Sequence, residues 1–307
     1  MTDNLAPDAQ RATLIGATAV LMWGMLGLLT TLTGKVPPFQ LVAMSFSVAT
    51  VMIALKWLAR GERPVTFLRQ PLGAWALGVS GLFGYHFFYF LALRNAPPVH
   101  ANLINYLWPV LIVLFSALLP GHRLRWWHLA GALAGLAGTV ALVTDGGGTG
   151  DAGFVAVKTE AAFGYAMAVA AALAWSTYSV TNRRFGHVPT DTVGGFCAVT
   201  AILAAGCHLA FETTVWPADI GEWLAVLGLG LLPVGAAFFT WDYGTKHGDI
   251  QVLGALAYAA PLISTILLIV FGQGEATPAV ALGCALIVGG AVLASKEMFR
   301  RKRPKSA

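Results

Sequence analysis

The sequence predicts an all-α membrane protein of ten transmembrane helices, arranged as two inverted five-helix repeats, and three observations carry that reading. The 307 residues are 57% hydrophobic and only 11% charged, where a soluble domain carries about 25% charged residues. Apolar runs of about 20 residues, the length that crosses a bilayer as a helix, recur along the whole chain. A shift of 152 residues also lays the chain on itself without a gap. Gly34-Lys35-Val36-Pro37 falls on Gly186-His187-Val188-Pro189, and Trp23, Tyr106, Pro109, Gly131 and Gly138 fall on Trp175, Tyr258, Pro261, Gly283 and Gly290. Paired Trp, Tyr and Pro are rare enough in so apolar a chain to mark a true internal repeat.

The first repeat, 1–150, holds spans near 12–33, 39–59, 72–94, 98–119 and 126–144. The first run has no strongly basic n-region and no small-residue cleavage site, so it reads as a retained helix and not a signal peptide. Gly78, Gly81 and Gly84 in the third span are candidate flexing points. The fourth carries Asn102, Asn105, Tyr106 and Trp108 just before Pro109, and the fifth carries Gly131 and Gly135 as G-x-x-x-G with Gly138 one turn on. Such small-residue faces let helices approach closely, so the fifth span is expected to be scaffold off the substrate path. Asp145 to Glu160 is a Gly-rich linker at the seam.

The second repeat, 151–307, holds spans near 161–182, 191–211, 221–243, 249–271 and 276–296, then a basic tail. Gly228 and Gly230 are its flexing candidates, and Gly283, Gly289 and Gly290 mark its scaffold helix. Cys197, Cys207 and Cys284 all fall within spans, which favours packed thiols over disulfides or a metal site. Trp126, Trp127, Trp216 and Trp223 sit at span ends as interfacial belt residues.

With the N-terminus inside, sixteen Lys and Arg fall in inner segments against Lys35, Arg94 and Lys158 outside. Basic residues near span ends are retained in the cytoplasm, so both termini are expected there. Topology thus accounts for the net charge of +5, and no nucleic-acid partner is needed to explain Arg300 to Lys305. An odd number of spans per repeat forces the second copy to enter the membrane the other way up. Inverted repeats of this kind build secondary transporters, with the substrate site at the repeat interface near the bilayer midplane. A receptor, a scaffold or a membrane enzyme could use a duplicated bundle too, because architecture alone does not fix function.

Ala92-Leu93-Arg94, Tyr106-Leu107-Trp108-Pro109 and the Gly131, Gly135, Gly138 helix recur as Gly244-Thr245-Lys246, Tyr258-Ala259-Ala260-Pro261 and Gly283, Gly289, Gly290. In these patterns the chain resembles the drug/metabolite transporter superfamily, EamA type, over nearly its whole length. The density of aromatics in the first, third, fourth and sixth spans is similar to a branch that exports aromatic amino acids and related compounds. Family members often carry an acidic residue after the fourth and ninth spans; Gly274-Glu275 keeps it and Gly121-His122 does not. The resemblance implies an inner-membrane, multi-pass monomer with no cofactor, exporting a small molecule such as an amino acid. A multidrug or other metabolite exporter is the alternative within the same fold.

A midplane site must satisfy a polar solute inside hydrocarbon, so polar and aromatic groups should converge there from several helices. Asn102, Asn105 and Pro109 share a helix face, with Tyr106 beside Asn102. Proline weakens the preceding turn and frees a carbonyl. The repeat mates of the asparagines are Gly254 and Ala257, so the cavity should draw its hydrogen bonds mainly from the first half. Asn102 and Asn105 either contact substrate or tie helices together. Trp23 and Trp175 occupy equivalent places away from either interface and either sandwich a flat solute or pack in the core, with Tyr178 one turn from Trp175. His86, within Tyr85-His86-Phe87-Phe88-Tyr89, is a proton relay, a cation-repelling gate or a satisfied structural donor. The substrate-contact candidates are therefore Trp23, Tyr85, His86, Tyr89, Asn102, Asn105, Tyr106, Trp108, Trp175, Tyr178 and Tyr258.

No span centre holds Asp or Glu, and Asp242 lies near the end of the eighth helix. Obligatory exchange of protons for cations on an intramembrane carboxylate is therefore poorly supported. No G-x-x-x-x-G-K loop occurs, since Gly27 to Lys35 has the wrong spacing, which argues against nucleotide drive. Facilitated export, or coupling through a group such as His86, fits the residues better. A cavity without fixed charge suits neutral or zwitterionic solutes. The competitor from another class is a haem-carrying oxidoreductase with His86 and His208 as ligands.

Overall fold

The computed structural model describes residues 7–120, 124–145, 161–272 and 276–294. The Gly121-His122 and Gly274-Glu275 positions, the linker after Asp145 and the basic run from Arg300 to Lys305 lie outside them. Among the described residues every regular element is helical. The elements are α1 (Pro7–Gly24), α2 (Leu26–Thr31), α3 (Pro38–Ala59), α4 (Pro64–Leu68), α5 (Leu72–Val79), α6 (Tyr85–Asn95), α7 (Pro98–Asn105), α8 (Trp108–Ser116) and α9 (Trp126–Asp145). They continue as α10 (Ala162–Thr181), α11 (Val193–Phe211), α12 (Ile220–Leu231), α13 (Ala237–His247), α14 (Ile250–Leu256), α15 (Ala259–Val270) and α16 (Pro278–Ala294). Six stretches are long and apolar enough to cross a membrane, among them Asp8–Thr31, Pro38–Ala59 and Ile220–His247, and shorter apolar helices include Trp126–Leu142 and Pro278–Ala294.

Several expected spans are interrupted, and the interruptions repeat. The 98–119 span breaks between α7 and α8, and 249–271 breaks at the equivalent place between α14 and α15. Pro109 and Pro261 lie just after these breaks, where a missing N–H and the ring's clash with the preceding turn unseat the helix. π-helical turns at Ser80–Gly84, between α5 and α6, and at Leu232–Ala236, between α12 and α13, also coincide under the 152-residue shift. The break at Met25 between α1 and α2 has no counterpart in the continuous α10.

Packing follows the repeat as well. α1 crosses α13 with Gly16 and Gly244 so close that a Cβ on Gly244 would stand 2.5 Å from the Gly16 Cα. At the equivalent crossing of α10 and α6 the mates are Ala168 and Ala92, both fully buried in one cluster. Helix α1 also packs on α14 and α15, and α10 packs on α7 and α8. Two bundles result, α1/α2 with α12 to α15, and α10 with α5 to α8. Each draws its first helix from the other repeat. Mates α3 and α11 run antiparallel, with Lys56 beside Asp191 at one end and the Glu212 carboxylate on the Phe39 and Gln40 N–H groups (3.0 and 3.1 Å) at the other. Mates α9 and α16 also cross antiparallel, through Gly131 against Gly290 and Gly138 against Gly283. Gly289 meets nothing within 4 Å, so its face points away. The end where α1 starts and α10 and α13 finish is termed here the first face; α2 and α6 finish at the second.

Three of the five flexing candidates are tight packing positions, whereas Gly84 and Gly228 have room for a Cβ. A Cβ on Gly78 would strike the Phe196 ring at 2.4 Å, one on Gly81 the Tyr178 ring, and one on Gly230 the Val48 side chain. All three cysteines are free thiols. Trp126 is largely exposed at the start of α9, and Trp216, in the connection before α12, is largely exposed and stacks on Trp223 with centroids 6.1 Å apart.

Candidate functional site

Where the two bundles face each other, four tryptophans meet: Trp23 of α1, Trp108 of α8, Trp175 of α10 and Trp241 of α13. All six ring pairs lie within 5.0 to 6.3 Å, centroid to centroid. Most are edge to face or tilted, the arrangement the ring quadrupoles favour. Trp23 and Trp175 stand 5.6 Å apart at 77°, so these rings touch and leave no slot between them for a flat group. Two of the indole N–H groups donate to named acceptors. Trp23 Nε1 donates to the Pro233 carbonyl at 3.0 Å, within the π turn, where the regular backbone ladder is disturbed. Trp241 Nε1 donates to Ser179 Oγ at 3.0 Å. Phe238 closes the cluster against Trp175 and Phe46.

Beside the tryptophans, one turn of α6 presents Tyr85 and Tyr89 as a stacked pair, 5.8 Å apart and 5° from parallel. Tyr85 also leans on Trp175 at 5.7 Å. The hydroxyl of Tyr89 donates to Asn102 Oδ1, and Asn105 Nδ2 donates to the Tyr85 hydroxyl at 3.1 Å. Both asparagines of α7 therefore face α6, as their spacing requires. Asn105 is 4% exposed, and its Oδ1 is buried with no donor. A buried acceptor left unpaired is costly and asks for a ligand or water. The mates of the asparagines do other work: Gly254 lets α14 approach Val113, Ile112 and the Pro109 carbonyl, and Ala257 is buried in the core. Tyr85, Tyr89, Asn102 and Asn105, which form this polar set, all belong to the first half.

The remaining candidates separate. His86 lies next to Tyr85, its Nδ1 2.7 Å from the Leu82 carbonyl and its ring enclosed by Phe46, Phe90 and Phe238. Tyr178 is 1% exposed, tucked behind Trp175 against Gly81, with its hydroxyl unpartnered. Tyr106 lies at the α7–α8 break, and its carbonyl accepts from the Tyr258 hydroxyl at 3.0 Å. Tyr258 itself packs on Gly135 of α9, in a separate cluster with Val110 and Ile287. Both ring nitrogens of His208 are engaged, by Glu212 and Thr214 at 3.0 and 2.9 Å, which removes it as a haem ligand. Among the described residues no group of three or more His, Cys, Asp or Glu is placed to hold a metal ion.

Two features were not read from the sequence. Trp241 is the repeat mate of Tyr89, so the 152-residue shift could have found it. Asp242, read only as lying near the end of the eighth helix, is fully buried and paired to Lys246 Nζ at 2.8 Å; the signal for that pairing was the i, i+4 spacing of opposite charges.

The EamA-like transporter family matches this chain twice, at residues 10–144 and 162–296, one match per repeat. The chain belongs to that family. The EamA-like match covers both halves of the aromatic cluster, and it makes the protein a transporter and not an enzyme. Among its relatives, the aromatic amino acid exporter YddG of Ancylobacter novellus is 55% identical over 92% of this chain and 96% of that protein. The aromatic amino acid exporter YddG of Escherichia coli is 25% identical over 92% of this chain and 96% of its own length. A solved crystal structure, 53% identical, superposes with a TM-score of 0.87 over 95% of this chain and 100% of its own.

Proposed function

We propose that the protein is an exporter of neutral or zwitterionic amino acids, aromatic ones included, working by alternating access. Ten helices cross the membrane in this reading: α1/α2, α3, α5/α6, α7/α8, α9, α10, α11, α12/α13, α14/α15 and α16. They form two inverted five-helix repeats, 1–150 and 151–307, with both termini cytoplasmic and the first face inward. The antiparallel mates α3/α11 and α9/α16 support the inversion, the cation count supports the orientation, and the names of the relatives support the substrate class. The solute sits near the midplane, at the junction of the two bundles.

The single observation that carries the site is the Asn105 amide, fixed by Tyr85 with its oxygen buried and unpaired beside a stacked tyrosine pair and four tryptophans. An α-ammonium donates to that oxygen. Tyr85, Tyr89, Asn102 and Tyr106 serve the remaining polar atoms, while Trp23, Trp108 and Trp175 meet an apolar or flat side chain by edge and face contacts. His86, Tyr178 and Tyr258 support this surface from behind. Movement of one bundle against the other exposes the site to each side in turn.

Counterflow in proteoliposomes with a panel of neutral amino acids tests the reading. Exchange is expected for tryptophan, phenylalanine and tyrosine and should drop at least tenfold in Asn105→Ala and Trp175→Ala. Absence of exchange with every amino acid would overturn the substrate class; undiminished exchange in both variants would overturn the site.

A further inference from the structure

Under the repeat symmetry the two faces should look alike where the bundles meet, and they do not. At the first face, the end of α10 is tied to the end of α13 through buried polar groups. Asn182 Nδ2 donates to Asp242 Oδ1 at 2.9 Å and to Thr245 Oγ1 at 3.2 Å. Thr190 Oγ1 and Lys246 Nζ both donate to Asp242 Oδ2, at 2.7 and 2.8 Å, and Lys246 also donates to the Val188 carbonyl at 3.0 Å. Arg183 reaches across to the carbonyls of Thr245 and Gly248, at 3.2 and 2.5 Å, the open acceptors at the end of α13. At the same face, Gln251 Nε2 of α14 donates to Ser116 Oγ of α8 at 3.0 Å.

The equivalent positions at the second face are Thr30, Thr31, Phe90, Leu93, Arg94 and Ala96. Thr31 turns its hydroxyl back onto the Leu28 carbonyl, and Arg94 bonds Glu212 on α11's end instead of reaching α2. Among the described residues no hydrogen bond or ion pair joins α2 to α6. Leu26 and Leu32 are exposed at 41% and 45%.

From this asymmetry we infer that Asn182, Arg183, Asp242 and Lys246 form a latch that shuts the pathway at the cytoplasmic face, holding the protein open to the other side. The inference rests on the alternating-access reading above and adds the residues that set its balance. A buried ion pair gives little net stability, because desolvation offsets the attraction. It is a strong discriminator between states, because a conformation that parts the bundles strips Asp242 of its Asn182 and Thr190 partners. Asp242 and Asn182 are thus positioning residues for the gate, outside the set of groups proposed to touch the solute.

The test uses the full chain in lipid nanodiscs without solute, with Cys197, Cys207 and Cys284 replaced by alanine. Spin labels at Arg184→Cys with Tyr243→Cys report the first face, and labels at Leu32→Cys with Asn95→Cys report the second. Asp242→Asn should raise the ratio of the longer to the shorter first-face distance at least tenfold, and shorten the second-face distance in step. Asn182→Ala, which leaves the Asp242–Lys246 pair in place, should move both distances the same way and covers the case in which Asp242→Asn fails to fold. In Asp242→Asn with Lys246→Gln no charge is left unpaired. A latch keeps the shift in that double variant, whereas return to the wild-type distribution would mean that Asp242 only neutralises Lys246 and would overturn the proposal. Unchanged distances in Asn182→Ala would overturn it too. Because no solute is present, failed counterflow with amino acids leaves this measurement intact, so the two readings fail separately.

Discussion

At the residue scale, the site is a set of side chains whose polar ends are almost, but not entirely, satisfied by one another. Tyr85 holds Asn105 by its Nδ2 and leaves Oδ1 buried and free. Removing the Tyr85 hydroxyl takes away a proposed partner of the solute and the bond that aims the amide at its ammonium, a loss of about 1–3 kcal/mol of binding. Since about 1.4 kcal/mol is a factor of ten, Tyr85→Phe should raise the counterflow half-saturation about tenfold with little change in expression. Tyr258→Phe is the matching control. Its hydroxyl donates to the Tyr106 carbonyl and its ring packs in a different cluster, so about 1 kcal/mol of stability should go and the half-saturation should stay. If the two substitutions change half-saturation equally, the division between site and support is wrong. The asparagine pair was legible in the sequence because polar residues at helical spacing inside an apolar span have few uses. The unpaired oxygen was not, since it depends on which way one amide turns.

At the element scale, the helix breaks and π turns adjoin the proposed site and the glycine faces carry the frame. The breaks after Asn105 and Leu256 follow from prolines that the sequence displays. The π turns at Ser80–Gly84 and Leu232–Ala236 do not, because no residue pattern announces one extra residue in a helical turn. For the frame, sequence placed glycines on α9 and α16 but could not say which of Gly289 and Gly290 faces the partner, as adjacent residues point about 100° apart. The structure separates them. A Cβ on Gly138 would stand 2.7 Å from the Gly283 carbonyl, while one on Gly289 meets nothing. Gly138→Val should therefore destabilise the protein by about 1–3 kcal/mol, and Gly289→Val should stay within about 0.5 kcal/mol. Thermal unfolding in detergent reads both. Equal effects would mean that α9 and α16 do not cross through this face.

At the scale of the whole molecule, the duplicated chain builds two bundles that each borrow their first helix from the other repeat, so no repeat can move without moving part of its twin. That exchange is invisible in sequence, where α1 belongs with α3, and it decides which bonds oppose transport. On the proposed rocking motion, bonds inside a bundle, such as Trp23 to Pro233, are kept and bonds between α10 and α13 are broken. A covalent tie across the second kind should therefore stop the cycle. The Asn182 and Thr245 side chains meet at 3.2 Å, and the tie is made by oxidising cysteines placed at both positions on a background lacking the native thiols. The oxidised variant is expected to lose at least nine-tenths of its counterflow. Reduction should restore the rate, each sample serving as its own control against misfolding. Full exchange through a protein whose disulfide is shown to be formed would mean that α10 and α13 never part, and the solute would need another route across the first face.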